Sequence, residues 1–304
     1  MLRQVILSAA GNDRVKTVVA GAPVSRGVVR RFVAGEAVED AVRTTRELQA
    51  GGLVVSLDHL GEDTRDAGQA EATVRAYLLL LDRLAEAGLT GDGRCEVSVK
   101  LTAVGQTIDP ALALDNVRTI CASAGAAGTT VTLDMEDHTT TDATLAALQQ
   151  LRVQFPSTGA VVQSYLRRTE DDCRALAVEG SRVRLCKGAY REPASVAFQS
   201  AAEVDASYVR CLQVLMQGPG YPMVATHDPA LIALAGTFGR APGTYEHQLL
   251  YGVRPAEQLR LAGEGQTVRV YVPYGDQWYG YLMRRLAERP ANLGFFLRAL
   301  VSRS

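Results

Sequence analysis

Polar and charged side chains stand at the ends of six apolar segments of the sequence. Lys100 lies in Val-Ser-Val-Lys-Leu-Thr, Asp134 follows Val-Thr-Leu, and Gln163 follows Ala-Val-Val. The remaining residues of this kind are Arg184, Lys187, Thr226, His227 and Tyr271. Burying so many polar groups is costly unless each is hydrogen-bonded. Their accumulation predicts a site that binds a polar ligand.

A second cluster of chemical groups lies near the end of the chain, in Tyr281-Leu-Met-Arg284-Arg285-Leu-Ala-Glu288. At about 100° per residue, Arg284, Glu288 and Arg285 fall at roughly −60°, −20° and +40° from Tyr281, so the four share one helix face. Two guanidinium groups on one face are suited to bidentate recognition of a small carboxylate. The alternative is a solvated face that carries an ion pair.

Metal and dinucleotide sites are poorly supported. Glu136, Asp137 and His138 are adjacent and would point to alternating sides of an extended chain, and no HExxH or Cys/His spacing occurs. Gly263-Glu-Gly265 lacks the third glycine of a dinucleotide fingerprint and precedes a strand pattern. We therefore expect no metal, and any nucleotide cofactor must be held by the main fold.

The chain contains only three lysines, Lys16, Lys100 and Lys187. Lys100 or Lys187 could be the nucleophile of a Schiff-base lyase or aldolase. A nucleophilic lysine must be neutral part of the time, whereas Asp134 near Lys100 would favour the ammonium form. A non-catalytic protein that binds an amino acid is a second alternative.

The elements that must position these residues alternate between β-rich segments and helical patterns, as in a parallel sheet built from βαβ units. Eight such segments predict an α/β fold, a (βα)8 TIM-type barrel whose active site lies at the carboxyl ends of the strands. The predicted strands are Leu53–Leu60, Cys95–Val104, Thr129–Met135, Gly159–Leu166, Arg182–Ala189, Pro222–His227, Tyr245–Gly252 and Thr267–Tyr274.

Helix signals lie between the strands. Asp109-Pro110 and Asp228-Pro229 place an N-cap before a proline in the first turn, and Thr169-Glu-Asp-Asp172 resembles a capping box. An apolar stripe predicts a helix near 70–87. We expect an N-terminal helical segment over residues 1–52, ending at Gly51-Gly52, and a barrel over 53–304 that includes the final helix.

Composition limits the possible partners. The formal net charge is −1 and the pI is near 6.5, which argues against nucleic acid as a partner. Five cysteines without a CxxC pair predict reduced thiols in a cytoplasmic protein. No apolar run approaches the ~20 residues that span a bilayer.

Taken together, these blocks resemble the proline dehydrogenase family, and in particular its short, monofunctional bacterial branch. The resemblance covers nearly the whole chain. Its blocks include Arg184-Leu-Cys-Lys187-Gly-Ala-Tyr190, Ala-Thr226-His227-Asp-Pro and, most specifically, Tyr-Leu-Met-Arg284-Arg285-Leu-Ala-Glu288-Arg-Pro-Ala-Asn.

The resemblance implies a distorted barrel with FAD at its mouth and the final helix over the top. It implies that Arg284 and Arg285 bind the carboxylate of L-proline. The rest of the substrate pocket would be Lys100, Asp134, Ala189, Tyr190, Leu250, Tyr271 and Tyr281. The flavin-side residues would be Gln163, Arg184, Cys186, Lys187, Gly188, Thr226, His227 and Glu288.

The resemblance to this family also implies partners. Proline would be oxidised to 1-pyrroline-5-carboxylate, electrons would pass to a membrane quinone, and the protein could sit peripherally at the inner face of the cell membrane. A separate pyrroline-5-carboxylate (glutamate-semialdehyde) dehydrogenase would complete oxidation to glutamate, because the chain is too short to include one. Arg191 stands where the long bifunctional relatives have tryptophan.

Overall fold

Eight parallel strands close into a barrel in chain order in the computed structural model, which describes residues 29–61 and 64–288. Strand β1 pairs with both β2 and β8, and this closes the sheet. The strands are β1 Val54–His59, β2 Cys95–Val99, β3 Val131–Leu133, β4 Gly159–Gln163, β5 Arg182–Cys186, β6 Tyr221–Ala225, β7 Glu246–Leu250 and β8 Val268–Tyr274. All eight predicted strands and the (βα)8 barrel are confirmed.

Helices alternate with the strands. They are α1 Val38–Ala50, α2 Ala67–Glu86, α3 Pro110–Ala126, α4 Thr141–Arg152, α5 Thr169–Leu176, α6 Ala201–Gln217, α7 Pro229–Gly236, α8 Pro255–Gly263 and α9 Trp278–Glu288. A short 3-10 helix, Thr102–Val104, follows β2. It occupies residues that the sequence assigned to the strand, so β2 ends before Lys100.

Alternate residues of each strand face opposite sides of the barrel wall. In β1, Val55 and Leu57 belong to the hydrophobic core between strands and helices, whereas Ser56 contacts Ser98 and Arg184 inside the barrel. On the outer side, α2 buries Val74, Tyr77, Leu80, Leu81 and Leu84 against the sheet. Each large apolar side chain buried in this way contributes about 1.5–3 kcal/mol.

The barrel interior is charged rather than apolar. Glu96 of β2 is fully buried and accepts hydrogen bonds from Arg182 at 2.6 Å and Arg184 at 2.7 Å. Arg269 of β8 pairs with Glu246 of β7 at 2.7 Å. Buried charges of this kind are stable only when paired, so the interior residues must keep their charges in balance.

The helix starts follow the sequence signals at two of three positions. Asp109 and Asp228 are N-caps whose carboxylates accept from the backbone N–H groups of Ala111 at 2.8 Å and Ala230 at 3.0 Å. The predicted capping box at Thr169 is wrong. Thr169 is already inside α5, and its hydroxyl donates to the backbone carbonyl of Gln163 at 2.5 Å, which ties the helix to β4.

The segment before β1 packs on the barrel. The backbone N–H of Ala34 donates to the carbonyl of Pro273 at 2.9 Å, and the indole N–H of Trp278 donates to Glu36 at 2.9 Å. Helix α1 ends before Gly51-Gly52, as predicted. Residues 1–28 of the proposed N-terminal segment lie outside the described residues, and the boundary at residue 52 stays a prediction.

Candidate active site

A cavity of about 430 Å³ opens at the carboxyl ends of the strands. Its lining includes Asp58, Lys100, Asp134, Met135, Val161, Gln163, Arg184, Cys186, Lys187, Gly188, Ala189, Tyr190, Ala225, Thr226, His227, Gln248, Leu249, Leu250, Tyr271 and Tyr281. Every predicted site residue is present except Arg284, Arg285 and Glu288. Those three lie on α9, whose Tyr281 reaches the cavity, but their side chains are outside the described residues.

Asp134 is the centre of the polar contacts in the cavity. One carboxylate oxygen accepts from Arg184 at 2.7 Å, and the other accepts from the Tyr271 hydroxyl at 2.6 Å. The Lys100 amine lies 3.7 Å from Asp134. Burial and the nearby Asp134 and Asp58 charges raise the pKa of Tyr271 well above its usual value, so this phenol stays protonated and remains a donor.

Arg184 forms the floor of the cavity and connects it to the barrel interior. Its Nε donates to Gln248 at 2.5 Å, one terminal nitrogen donates to Ser98 and Asp134, and the other donates to Ser56 and Glu96. These contacts use all five N–H groups of the guanidinium. Burial alone would lower its pKa, but Asp134 and Glu96 outweigh burial and raise the pKa. Arg184 is therefore a permanent cation.

Lys100 is held by Asp58, a residue that sequence reasoning missed. Its amine donates to both carboxylate oxygens of Asp58, at 2.9 and 2.8 Å. Burial raises the pKa of Asp58, and the adjacent Lys100 charge opposes that shift. Asp58 stands near the carboxyl end of the first predicted strand, where the same alternation that marked the other strands could have identified it.

The flavin-side residues predicted from the sequence, apart from Glu288, line another part of the cavity wall, built by β4, β5 and β6 and the chain that follows them. Gln163 donates to the Glu136 carbonyl at 2.7 Å. Lys187 pairs with Asp205 at 2.6 Å and with Asp228 at 3.0 Å. Burial would lower the pKa of Lys187, but both carboxylates oppose this and raise it.

In the same wall, a hydrogen bond fixes the ring of His227, and close packing fixes the backbone of Gly188. His227 accepts from the backbone N–H of Leu250 through Nε2 at 3.0 Å. Gly188 has a φ of 109°, and a Cβ there would lie 2.3 Å from the Tyr165 ring. Only glycine can take this conformation without strain and fit this space.

Gln248 was also missed by sequence reasoning. It accepts from Arg184 and donates to Glu246 at 2.5 Å, so it links the cavity floor to the lower barrel. Its position in the predicted seventh strand was known, but no sequence signal showed that its side chain would meet Arg184, which lies 64 residues earlier.

Other kinds of site are absent from the part of the chain that the structure describes. Residues 29–61 and 64–288 contain no group of three or more histidine, cysteine, aspartate or glutamate side chains arranged to hold a metal ion. Across the same residues, none of the helices combines the length and apolar character needed to traverse a bilayer.

Comparison with known proteins assigns the family. The sequence profile of the family described as proline dehydrogenase matches residues 41–298. The chain belongs to the proline dehydrogenase family. It is 37% identical to "Proline dehydrogenase 1" of Bacillus subtilis over the full length of both chains. It is 38% identical to "Proline dehydrogenase" of Deinococcus radiodurans over 90% of each chain.

A similar barrel occurs as one part of a much longer protein of known structure. The structure of proline utilization A from Bdellovibrio bacteriovorus, inactivated by N-propargylglycine, superposes with a TM-score of 0.79 at 24% identity. The match covers 92% of this chain and 34% of that one. The similarity supports the barrel fold, and the near-equal lengths of the Bacillus relative and this chain agree with the monofunctional branch.

Proposed function

We propose that this protein oxidises L-proline to 1-pyrroline-5-carboxylate with bound FAD as the hydride acceptor, in the first step of proline catabolism. The observation that carries the proposal is the cavity in which Asp134 joins Lys100, Arg184 and Tyr271. Family membership gives the reaction class. The cavity gives a polar pocket of suitable size, since small-ligand pockets occupy about 300–1,000 Å³.

Substrate orientation is assigned to the two arginines of α9. A carboxylate held by Arg284 and Arg285 would fix one end of a rigid five-membered ring, so that C5 at the other end faces the cofactor. Tyr281, Tyr190, Leu250 and Ala189 would enclose the ring, since Tyr281 on α9 lines the same cavity as the strand-end residues. The ring amine must lose its proton before its lone pair can form the imine.

We place FAD, as part of the proposal, against the wall formed by β4, β5 and β6. We assign its binding to Gln163, Arg184, Cys186, Lys187, Gly188, Thr226, His227 and Glu288. Gly188 lets the chain after β5 pass against the Tyr165 ring within this wall, and Lys187 and Arg184 supply positive charge. Bound FAD would supply the acceptor for the hydride that leaves proline C5. Fixed cations stabilise the negative charge that results from such a transfer.

The aldolase alternative is disfavoured by the surroundings of Lys100. Asp58 accepts two hydrogen bonds from its amine, and Asp134 lies 3.7 Å away. Two carboxylates stabilise the ammonium form, which is not nucleophilic. The sequence also lacks the glycine-rich helix opening typical of nicotinamide enzymes, so we propose no use of NAD.

The proposed electron acceptor is a quinone, which would be reached by peripheral contact of this protein with the inner face of the cell membrane. The product would pass to a separate pyrroline-5-carboxylate dehydrogenase. Neither nucleic acid nor a metal has a part in the proposal.

The absorption spectrum of the purified protein tests the function directly. We expect a yellow protein whose flavin bands bleach when L-proline is added without oxygen and return when a soluble quinone is added. D-proline serves as the control and should bleach the bands far more slowly. Formation of NADH from proline and NAD by protein that contains no flavin would overturn the proposal.

A further inference from the structure

Asp58 and Lys100 form a buried ion pair in the cavity wall. The side chain of Asp58 is 2% exposed and that of Lys100 is 11% exposed. The amine donates to both carboxylate oxygens, at 2.9 and 2.8 Å. Both residues line the cavity, so the pair faces the space that the substrate would occupy.

Fold stability alone does not account for this pair. Removing two charges from water costs several kcal/mol per ion, and apolar residues of similar volume often stabilise a protein equally well. The barrel interior below already has its own ion pairs, formed by Glu96 and Glu246 with three arginines. An additional pair at the cavity wall therefore points to a role in the pocket.

The geometry explains why Lys100 needs an anchor. Asp58 pairs in register with Ser98 on β2, and Lys100 follows two residues later, where the strand has ended. A lysine side chain has four flexible carbons and a strongly hydrated head. Without the Asp58 carboxylate, the amine could turn towards solvent or towards Asp134.

We infer that Asp58 is a positioning residue that holds the Lys100 ammonium at a fixed point of the pocket and keeps it charged. The role in catalysis rests on the proposed function, whereas the effect on Lys100 can be measured without it. The fixed cation offsets the Asp58 and Asp134 charges, so that the pocket accepts a substrate that carries its own carboxylate. Without it, two carboxylates would repel that substrate.

The ionisable groups around Lys100 come from several elements. Among the described residues they include Asp58 and His59 of β1, Asp134 after β3, Arg184 of β5, Tyr271 of β8 and Tyr281 of α9. Asp58 lies closer to the amine than Asp134 does, at 2.8 Å against 3.7 Å, and both Asp134 oxygens also accept from Arg184 and Tyr271. Neutralising Asp58 should therefore make proton loss from Lys100 easier.

Competitive acetylation tests this, because only three lysines need to be separated by mass spectrometry. The purified protein is treated with trace acetic anhydride at mildly alkaline pH, and the rate at Lys100 is divided by the rate at Lys187. We expect Asp58→Asn to raise this ratio about tenfold or more, since one adjacent opposite charge shifts proton affinity by roughly one to three pH units. Asp58→Glu should restore most of the slow labelling.

The matched control is Asp115→Asn, which also removes one carboxylate from an ion pair with a basic residue, but on the outer surface of α3. It should leave the ratio unchanged. The wild-type protein provides a measurement that does not depend on how the variants fold. Its Lys100 Nζ signal in a spectrum of ¹⁵N-lysine protein should remain that of an ammonium group up to at least pH 9.

Kinetics separates positioning from mere structural support. If Asp58 acts through Lys100, Asp58→Asn should lower kcat/KM for proline about tenfold or more, and should cause no further loss in a Lys100→Met background. Additive losses, an unchanged labelling ratio in Asp58→Asn, or a neutral Lys100 amine below pH 9 in the wild type would each overturn the inference. Absence of proline oxidation by the wild type would instead refute the proposed function and leave the labelling result valid.

Discussion

At the scale of single residues, the pocket is controlled by charges whose partners are also charged. Asp134 binds Arg184 and Tyr271, and Lys100 binds Asp58, so no single charge can be removed without altering a neighbour. Deleting one partner of such a pair leaves an uncompensated buried charge and costs more than the pair itself contributes. Variants of these residues therefore report on the network as well as on the residue.

The paired arginines of α9 lead to the first residue-scale prediction. Arg284→Met and Arg285→Met should each lower kcat/KM for proline about tenfold or more, because each removes a charge-assisted hydrogen bond worth roughly 1.5–3 kcal/mol. Bound flavin should survive in at least one variant. Steady-state kinetics and the flavin-to-protein absorbance ratio measure the two effects.

Arg260→Met is the matched control for this pair. Arg260 lies on the exposed side of α8 and pairs only with carboxylates of its own helix and the residue that follows it. Its loss should leave kcat/KM within about twofold of the wild type, since exposed ion pairs contribute little. Near-normal kinetics in both α9 variants would mean that their arginines form a solvated face.

At the scale of elements, backbone contacts join the segment before α1 to β8 and to the loops that follow β7 and β8. Gly275 donates to the Gly35 carbonyl at 2.9 Å, and Ala34 donates to Pro273 at the same distance. Gly252 in the loop after β7 lies so close to the segment before α1 that a Cβ would lie 1.7 Å from the Arg31 carbonyl oxygen. These contacts fix α1 and the β7 and β8 loops relative to the cavity.

Gly252→Ala tests how much this packing matters. The variant should lose at least about 2 kcal/mol of unfolding free energy, because the added methyl group must displace backbone and not a flexible side chain. Urea denaturation followed by circular dichroism measures the loss.

Gly239→Ala separates the contact from the cost of backbone conformation. Gly239 has a φ of 70°, close to the 72° of Gly252, but a Cβ there would meet nothing within 4 Å. Both variants carry the same left-handed strain of roughly 1 kcal/mol, so the difference between them isolates the Arg31 contact. Equal losses would show that the contact with Arg31 has no energetic weight.

At the scale of the whole molecule, a polar network runs from the cavity to the lower end of the barrel. Arg184 connects Asp134 at the mouth to Glu96 below, and Glu96 also pairs with Arg182. Burial alone would raise the pKa of Glu96, but Arg269, Arg182 and Arg184 outweigh it and hold the pKa well below its usual range. The barrel is therefore stabilised by a carboxylate that must remain ionised.

This network predicts sensitivity to acid. The pKa of Glu96 is lower in the folded protein than in the unfolded chain. The ionised Glu96 therefore stabilises the fold fully at pH values above its pKa in the unfolded chain. This stabilisation is lost as the pH falls from there towards the pKa in the folded protein. We expect the free energy of unfolding in urea to fall steadily between about pH 5 and pH 3. Glu96→Gln should cost roughly 3–5 kcal/mol at neutral pH and make this decline shallower.

Glu71→Gln is the corresponding surface control. Glu71 forms an exposed i,i+4 pair with Arg75 on α2, and its loss should change stability by no more than about 0.5 kcal/mol. An equally steep acid decline in the wild type and Glu96→Gln would assign the decline to other carboxylates.

The sequence by itself determined the barrel, its eight strands and most of the cavity lining. β-branched runs alternate with helical patterns at a spacing typical of βαβ units, and strand ends in such a barrel meet at one mouth. Local signals also fixed the N-caps at Asp109 and Asp228, because those hydrogen bonds span only two residues.

Only the tertiary structure decided which charges meet. Asp58 contacts Lys100 across 42 residues, and Arg184 contacts Glu96 across 88. Such pairings depend on strand register and on the alternation of side chains in a closed barrel, neither of which leaves a local mark in the sequence. For the same reason Thr169 resembled a cap from its neighbours alone, whereas in the folded chain its hydroxyl is bonded to Gln163 of β4.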